Sequence, residues 1–261
     1  MPAPLFKGRI NSASRPTLLN SFVCLISLLT FLMTFAAADA HAQKRRANVK
    51  GGRSAIVVDE RLSALRQEPD PSAPLLQRLG RGRVVSVNGA RRTSDGISFY
   101  RVAVTRRTRG WVQADSLVAI WRNGDDQRLL RLVRASEDFD RLARARIFLD
   151  AFTHSPSRPA ALLLFGQAAQ QAADKLSREA ARRLDEREMA AGGAPLHTYF
   201  LNYTGLDRYN RQGITFTFDL NAKRYRYDGQ ALRELIRRYP QTPEAVQARK
   251  HLQALGAPAA P

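Results

Sequence analysis

Cysteine is nearly absent: one residue of 261, Cys24, carries a thiol. A single thiol cannot close a disulfide within its own chain or build a cysteine metal site. Cys24 also lies in an apolar N-terminal run, which excludes a catalytic cysteine from the remainder of the chain. Histidine is scarce as well, at four residues. Beyond the N-terminal segment only His154, His197 and His251 remain, far apart, and no His-Glu-x-x-His helix of a zinc protease occurs. No Gly-x-Ser-x-Gly elbow is present. Gly80-Arg81-Gly82 is a lone fragment that reads as a tight turn before a strand rather than as a phosphate loop. Glu186 and Glu188 flank the end of a helical stretch beside Asp185. Carboxylates two apart on a helix do not face each other, so a solvated face is the reading there. No catalytic residue, metal or cofactor is therefore expected, and the chain reads as non-enzymatic.

Negative charge is also in deficit. Asp and Glu number 23 against 42 Lys and Arg, for a formal net charge of +19 and a pI near 11.2. Only six of the cations are lysines. An excess of this size favours anionic partners such as nucleic acid, acidic lipid or acidic polymer. An arginine- and alanine-rich genomic composition produces the same excess without any site. Twelve arginines and six acidic residues lie between Gly52 and Val118; 23 basic and 16 acidic residues lie beyond. Charge spread over both parts, rather than gathered in one stripe, argues against nucleic acid as the partner.

The N-terminus carries an export pattern. Lys7, Arg9 and Arg15 form a basic head, Leu18 to Ala38 is almost unbroken apolar sequence, and Ala38-Asp39-Ala40 and Ala40-His41-Ala42 fit signal peptidase. Residues 1–42 are expected to be a signal peptide, placing the mature protein in the periplasm or cell envelope. The run is also about long enough to span a bilayer. Lys44, Arg45, Arg46 and Lys50 follow it and resist translocation. An uncleaved anchor is the alternative. A basic linker, residues 43–52, comes next.

From Arg53 to Val118 short β-rich runs alternate with turn residues. The pattern predicts strands over Ser54–Val58, Ser63–Arg66, Leu75–Leu79, Arg83–Val87, Ile97–Val104 and Thr108–Gln113. Pro69-Asp70-Pro71-Ser72, Asn88-Gly89 and Ser94-Asp95-Gly96 read as turns. After Trp121 the period becomes helical. Helices are expected from Asn123-Gly124-Asp125, over Glu137–Phe152, over Pro159–Arg187, over Asp228–Tyr239 and over Pro243–Leu255. Residues 197–227 are aromatic and irregular, with one alternating run, Ile214–Phe218. Residues 256–261 are a tail.

The first part, by Leu65-Arg66 with Pro69, Leu79-Gly80-Arg81-Gly82, Val84-Val85, Phe99-Tyr100-Arg101-Val102 and Gly110-Trp111-Val112, resembles the bacterial SH3-like domain family. The resemblance implies a small β-barrel that targets exported proteins to peptidoglycan or to envelope partners. The stretch Leu235 to Pro243, with Ala245, Ala248 and Leu252, resembles the helical hairpins of tetratricopeptide-type envelope proteins. That implies a docking surface for a protein partner. The expected fold class is α+β multidomain: an SH3-like β-barrel over residues 53–118, then a helical domain over 119–255.

Strand alternation nominates a ligand surface. Tyr100, Val102 and Val104 share one face of their strand; Phe99, Arg101 and Ala103 share the other. Gly110 and Val112 oppose Arg109, Trp111 and Gln113 in the same way. If the valines face inward, Phe99, Arg101, Arg109 and Trp111 meet outside, where arginine beside aromatics suits carboxylate-bearing peptides or sugars. Packing at the barrel end is the other reading of Trp111. The expected function is an exported adaptor that binds peptidoglycan or an envelope peptide. The targeting module of a cell-wall hydrolase is the alternative.

Overall fold

The computed structural model describes residues 52–254. The expected signal peptide, most of the basic linker and the tail lie outside the described residues. Seven strands come first: β1 (Arg53–Val57), β2 (Ala64–Arg66), β3 (Leu75–Arg78), β4 (Val84–Arg92), β5 (Ser98–Ala103), β6 (Arg109–Gln113) and β7 (Leu117–Val118). Helices α1 (Asp125–Arg134), α2 (Asp138–Ala151) and α3 (Arg158–Arg183) follow. Short helices α4 (Glu186–Gly192), α5 (Leu196–Leu201) and α6 (Asp207–Asn210) lead to a hairpin of β8 (Thr217–Asp219) and β9 (Arg224–Arg226). Helices α7 (Gln230–Arg238) and α8 (Pro243–Ala254) close the described chain.

The seven strands form one antiparallel sheet in the order β3-β2-β6-β5-β4-β1-β7. Its ends, β3 and β7, do not pair with each other, so the sheet is open and not a closed barrel. Its inner face buries Ala55, Val57, Leu65, Val85, Val102, Val112 and Leu117 in one core. The outer face behaves differently along its width. At the β1–β7 end, Ile56 and Val118 join the helical core, which also holds Val58. The helices therefore cover the outer face at the β1–β7 end, while towards β3 the outward Arg101, Arg109 and Leu75 stay exposed.

Three details differ from the sequence reading. Asn88-Gly89 is not a turn. Val87 pairs with Val102 and Gly89 with Arg101, leaving Asn88 as a bulge within a nine-residue β4. A bulge absorbs one extra residue while the ladder continues, so the turn-forming dipeptide is used to bend the strand. The long helix stops at Arg183, before the expected Arg187. There the Asp185 carboxylate accepts the Arg187 and Glu188 amides at 2.8 and 3.3 Å and starts α4. The segment 197–227 is not irregular throughout: it folds into α5, α6 and the β8–β9 hairpin. Tyr225 pins that hairpin to the helical core, its amide donating to Ser177 Oγ at 2.8 Å and its hydroxyl to the Phe200 carbonyl at 2.5 Å.

Buried charges tie the sheet to the helices. Asp125, 2% exposed, opens α1 and accepts the Ala119 amide at 2.8 Å. The same carboxylate pairs with Arg122 at 2.7 Å and Arg128 at 3.1 Å. Both guanidiniums also donate to the Leu117 carbonyl. Arg144 on α2 donates to the Val58 carbonyl at 3.1 Å and to Ser136 Oγ at 2.5 Å. Each buried charge is thus hydrogen-bonded, which offsets the cost of its desolvation.

Candidate functional site

The candidate surface is one rung of the sheet, read across four strands. Trp111 pairs with Arg101 on β5 and with Arg66 on β2. Arg66 pairs in turn with Leu75 on β3, and Arg101 with Gly89 on β4. Paired residues project to the same side, with Cβ atoms roughly 5 Å apart. Because Val102 and Val112 turn inward, this rung faces outward. Its side chains run Leu75, Arg66, Trp111, Arg101, over a width of about 14 Å at the usual strand spacing. Arg109 stands two residues before Trp111, opposite Ala103.

The four residues nominated by alternation have separate fates. Arg101 and Arg109 are exposed, and Trp111 is half-buried. Arg101 and Trp111 are direct cross-strand partners. Phe99 shares their face but is 2% exposed, opposite Gln113, so it is not part of the wet surface. Alternation assigns a face and says nothing of what covers it. Burying a phenyl ring gains roughly 2 kcal/mol, and the fold takes that gain. In exchange the rung contains Arg66 and Leu75, which no local pattern connects to Trp111. The residue parity of β2 would have turned Arg66 outward once Leu65 was placed in the core.

Two local features set this geometry. Gly110 lets β2 approach β6: a Cβ there would meet the Arg66 carbonyl oxygen at 2.5 Å, and Leu65 and Leu76 at 3.0 Å. The bulge in β3 leaves Leu76 without a partner and lets Leu75 pair with Arg66. Gly89, at the far end of the rung, adds no side chain beside Arg101.

The cations of this surface are unspent. Among the described residues no carboxylate lies within 4 Å of Arg66, Arg78, Arg101 or Arg109, although ion pairs are frequent elsewhere. Arg66 donates to the Ala73 carbonyl at 2.5 Å, which holds its guanidinium in place. The nearby Asp70 carboxylate serves Ser72, accepting its hydroxyl and amide at 2.6 Å. Those bonds hold the Asp70 carboxyl below its usual range, with a smaller contribution from the Arg66 charge. No guanidinium of a described residue lies over the Trp111 ring, in contrast to Arg53 over Trp121 at 5.4 Å and Arg122 over Tyr100 at 5.9 Å. The ring and the cations beside it therefore offer a stacking plane and charged donors to something outside the chain.

His154, His197 and His251 are exposed, and no group of three or more His, Cys, Asp or Glu among the described residues is placed to hold a metal ion. Glu186 pairs with Lys223 at 2.6 Å, and Asp185 caps α4. No described helix is long and apolar enough to cross a membrane. No family model, no curated protein and no solved structure matches the chain.

Proposed function

We propose that this chain is an exported, non-enzymatic binding protein of the cell envelope. In this reading the open sheet is an SH3-like module, and its outer rung holds peptidoglycan or another anionic envelope polymer. The helical part, whose α7–α8 pair resembles a tetratricopeptide hairpin, docks a protein partner. The observation that carries the reading is the direct pairing of Trp111 with Arg101 and Arg66, beside Arg109, with no carboxylate of a described residue within 4 Å of these guanidiniums.

The chemistry follows from the side chains. An indole plane packs against the apolar face of a sugar ring, and flanking guanidiniums take carboxylates through charge-assisted hydrogen bonds. Arginine does this better than lysine because its planar fork matches a carboxylate. The export pattern of residues 1–42 supports a location where such a polymer is found.

The test is co-sedimentation of the full mature chain with purified peptidoglycan. Reversing both exposed charges, Arg101→Glu with Arg109→Glu, is expected to reduce the bound fraction at least tenfold without changing the circular dichroism. Unchanged binding overturns the assignment of this surface. Zymography on the same peptidoglycan is expected to show no clearing; a cleared band would make the chain a hydrolase. N-terminal sequencing of the protein from fractionated cells is expected to begin after Ala42 or Ala40.

A further inference from the structure

The two edges of the seven-stranded sheet are treated in opposite ways. At β7 both residues are buried, and the edge is closed by side chains. The Leu117 carbonyl accepts from Arg122 and Arg128, and the Ala119 amide just beyond donates to Asp125. At β3 all four residues are exposed, and among the described strands it pairs with β2 alone. An edge strand presents unpaired amides and carbonyls that template another strand. Folds blunt such edges with proline, charge, bulges, short length or a covering element; along Leu75–Arg78 the four-residue β3 has one bulge and one charge, and neither proline nor, among the described residues, a covering element.

The direction of the free groups can be read from the register. Leu79 donates its amide to the Ser63 carbonyl at 3.1 Å and accepts from Ser63 Oγ at 2.5 Å, so its backbone faces β2. Backbone groups alternate along an antiparallel strand, which turns the Arg78 amide and carbonyl outward. Leu76, the bulge residue, has no register partner on β2. Beside this open ladder stand two large aliphatic side chains, Leu75 at 49% and Leu76 at 44% exposure.

Charge selects the occupant. Strands β2, β3 and β6 carry Arg66, Arg78 and Arg109 and no acidic residue. A second copy of the chain would set these arginines against themselves, on a molecule already at +19. An extended acidic segment meets no such penalty. We infer that β3 is a docking edge that takes an extended, acidic peptide segment of a partner protein as an added antiparallel strand. The added strand takes its main-chain hydrogen bonds from the outward groups of Arg78 and the bulge. Its carboxylates reach Arg78 and Arg66 on the outer face, and the aliphatic side chain between them turns to the other face, where Leu76 lies against Gly110. Main-chain bonds supply affinity in this mode and alternate side chains supply choice. The inference stands on the β3 backbone and does not depend on polymer binding at Trp111.

The test uses the full mature chain and a capped heptapeptide alternating glutamate and valine, with a lysine-for-glutamate peptide as control. Calorimetry is expected to show binding of the acidic peptide alone. Amide exchange is expected to slow at least tenfold at Arg78 on binding. Arg78→Glu should weaken the peptide at least tenfold, and the milder Arg78→Ala less, while both variants keep the circular dichroism and thermal midpoint of the parent chain. Binding of the acidic peptide without protection of Arg78, or equal binding to Arg78→Glu, overturns the docking edge. So does a dimer in sedimentation that Arg78→Glu abolishes, which would give the edge to a second copy.

Discussion

Gly110 is the residue on which the candidate surface depends without taking part in it. Its hydrogen stands where a Cβ would lie 2.5 Å from the Arg66 carbonyl oxygen, a backbone atom that cannot swing aside. A methyl group there must push β2 away from β6, and that contact is what sets Arg66 beside Trp111. Overpacking of this kind costs about 1–3 kcal/mol. Gly110→Ala is therefore expected to lower the thermal midpoint, at about 2–4 °C per kcal/mol for a chain of this size. It is expected also to weaken peptidoglycan binding, because the rung loses its β2 member. A midpoint equal to that of the parent chain would show that β2 yields without cost. Arg101, Arg109 and Trp111 were legible as sharing a face from alternation, on the condition that Val102, Val104 and Val112 turn inward, as they do. Phe99 was legible as to face and not as to burial. Arg66 and Leu75 were not legible as neighbours of Trp111, because the β2–β6 pairing that brings them there joins distant parts of the chain.

At the scale of elements, most of the fold follows from periodicity, and the departures have local causes. Six of the seven strands of the sheet fall where alternation predicts them. The two-residue β7 is too short to show a period. Asn88-Gly89 carries the strongest turn chemistry in the region, but the ladder between β4 and β5 continues past it. The helix break at Asp185 turns on a capping carboxylate, which competes with helix continuation only when the following amides are free to meet it. The β8–β9 hairpin was hidden because its aromatic residues serve tertiary contacts: Phe218 stacks on Phe200 at 4.4 Å and meets Tyr225 at 5.4 Å. This element makes a prediction of its own. Burial pushes the Tyr225 phenol well above its usual range, as it does that of Tyr227, whose oxygen accepts the Ala231 amide at 2.7 Å. A phenol with a raised folded pKa contributes stability that is fully present below its unfolded value, near 10, and is lost as pH rises beyond it. Urea unfolding between about pH 8 and pH 12 is expected to show stability falling steeply in the parent chain. In Tyr225→Phe with Tyr227→Phe the fall should be shallower, from a lower starting value at pH 8 because two hydrogen bonds are gone. Parallel curves for the two proteins would assign the alkaline loss to other groups.

For the whole molecule the question is what the arginine excess does. Of the cations in the sheet region, Arg61, Arg81 and their acidic partners form pairs, and Arg122 and Arg128 serve the sheet–helix junction. Those charges belong to the fold. Arg66, Arg78, Arg101 and Arg109 belong to none of these pairs and gather on the uncovered end of the outer face. The two groups respond to salt differently. Screening acts over about 10 Å at 0.1 M ionic strength and about 3 Å at 1 M, and it weakens exposed charges far more than buried pairs. Raising sodium chloride from about 0.05 to 0.5 M is therefore expected to release the protein from peptidoglycan while leaving its thermal midpoint nearly constant. The Arg101→Glu, Arg109→Glu protein should show a weaker salt dependence in the binding that remains. If retention does not change with salt, Trp111 and apolar contact carry the binding, and the arginine excess serves another purpose. If the midpoint falls together with the binding, the buried pairs of Asp125 are less shielded than their 3% side-chain exposure implies.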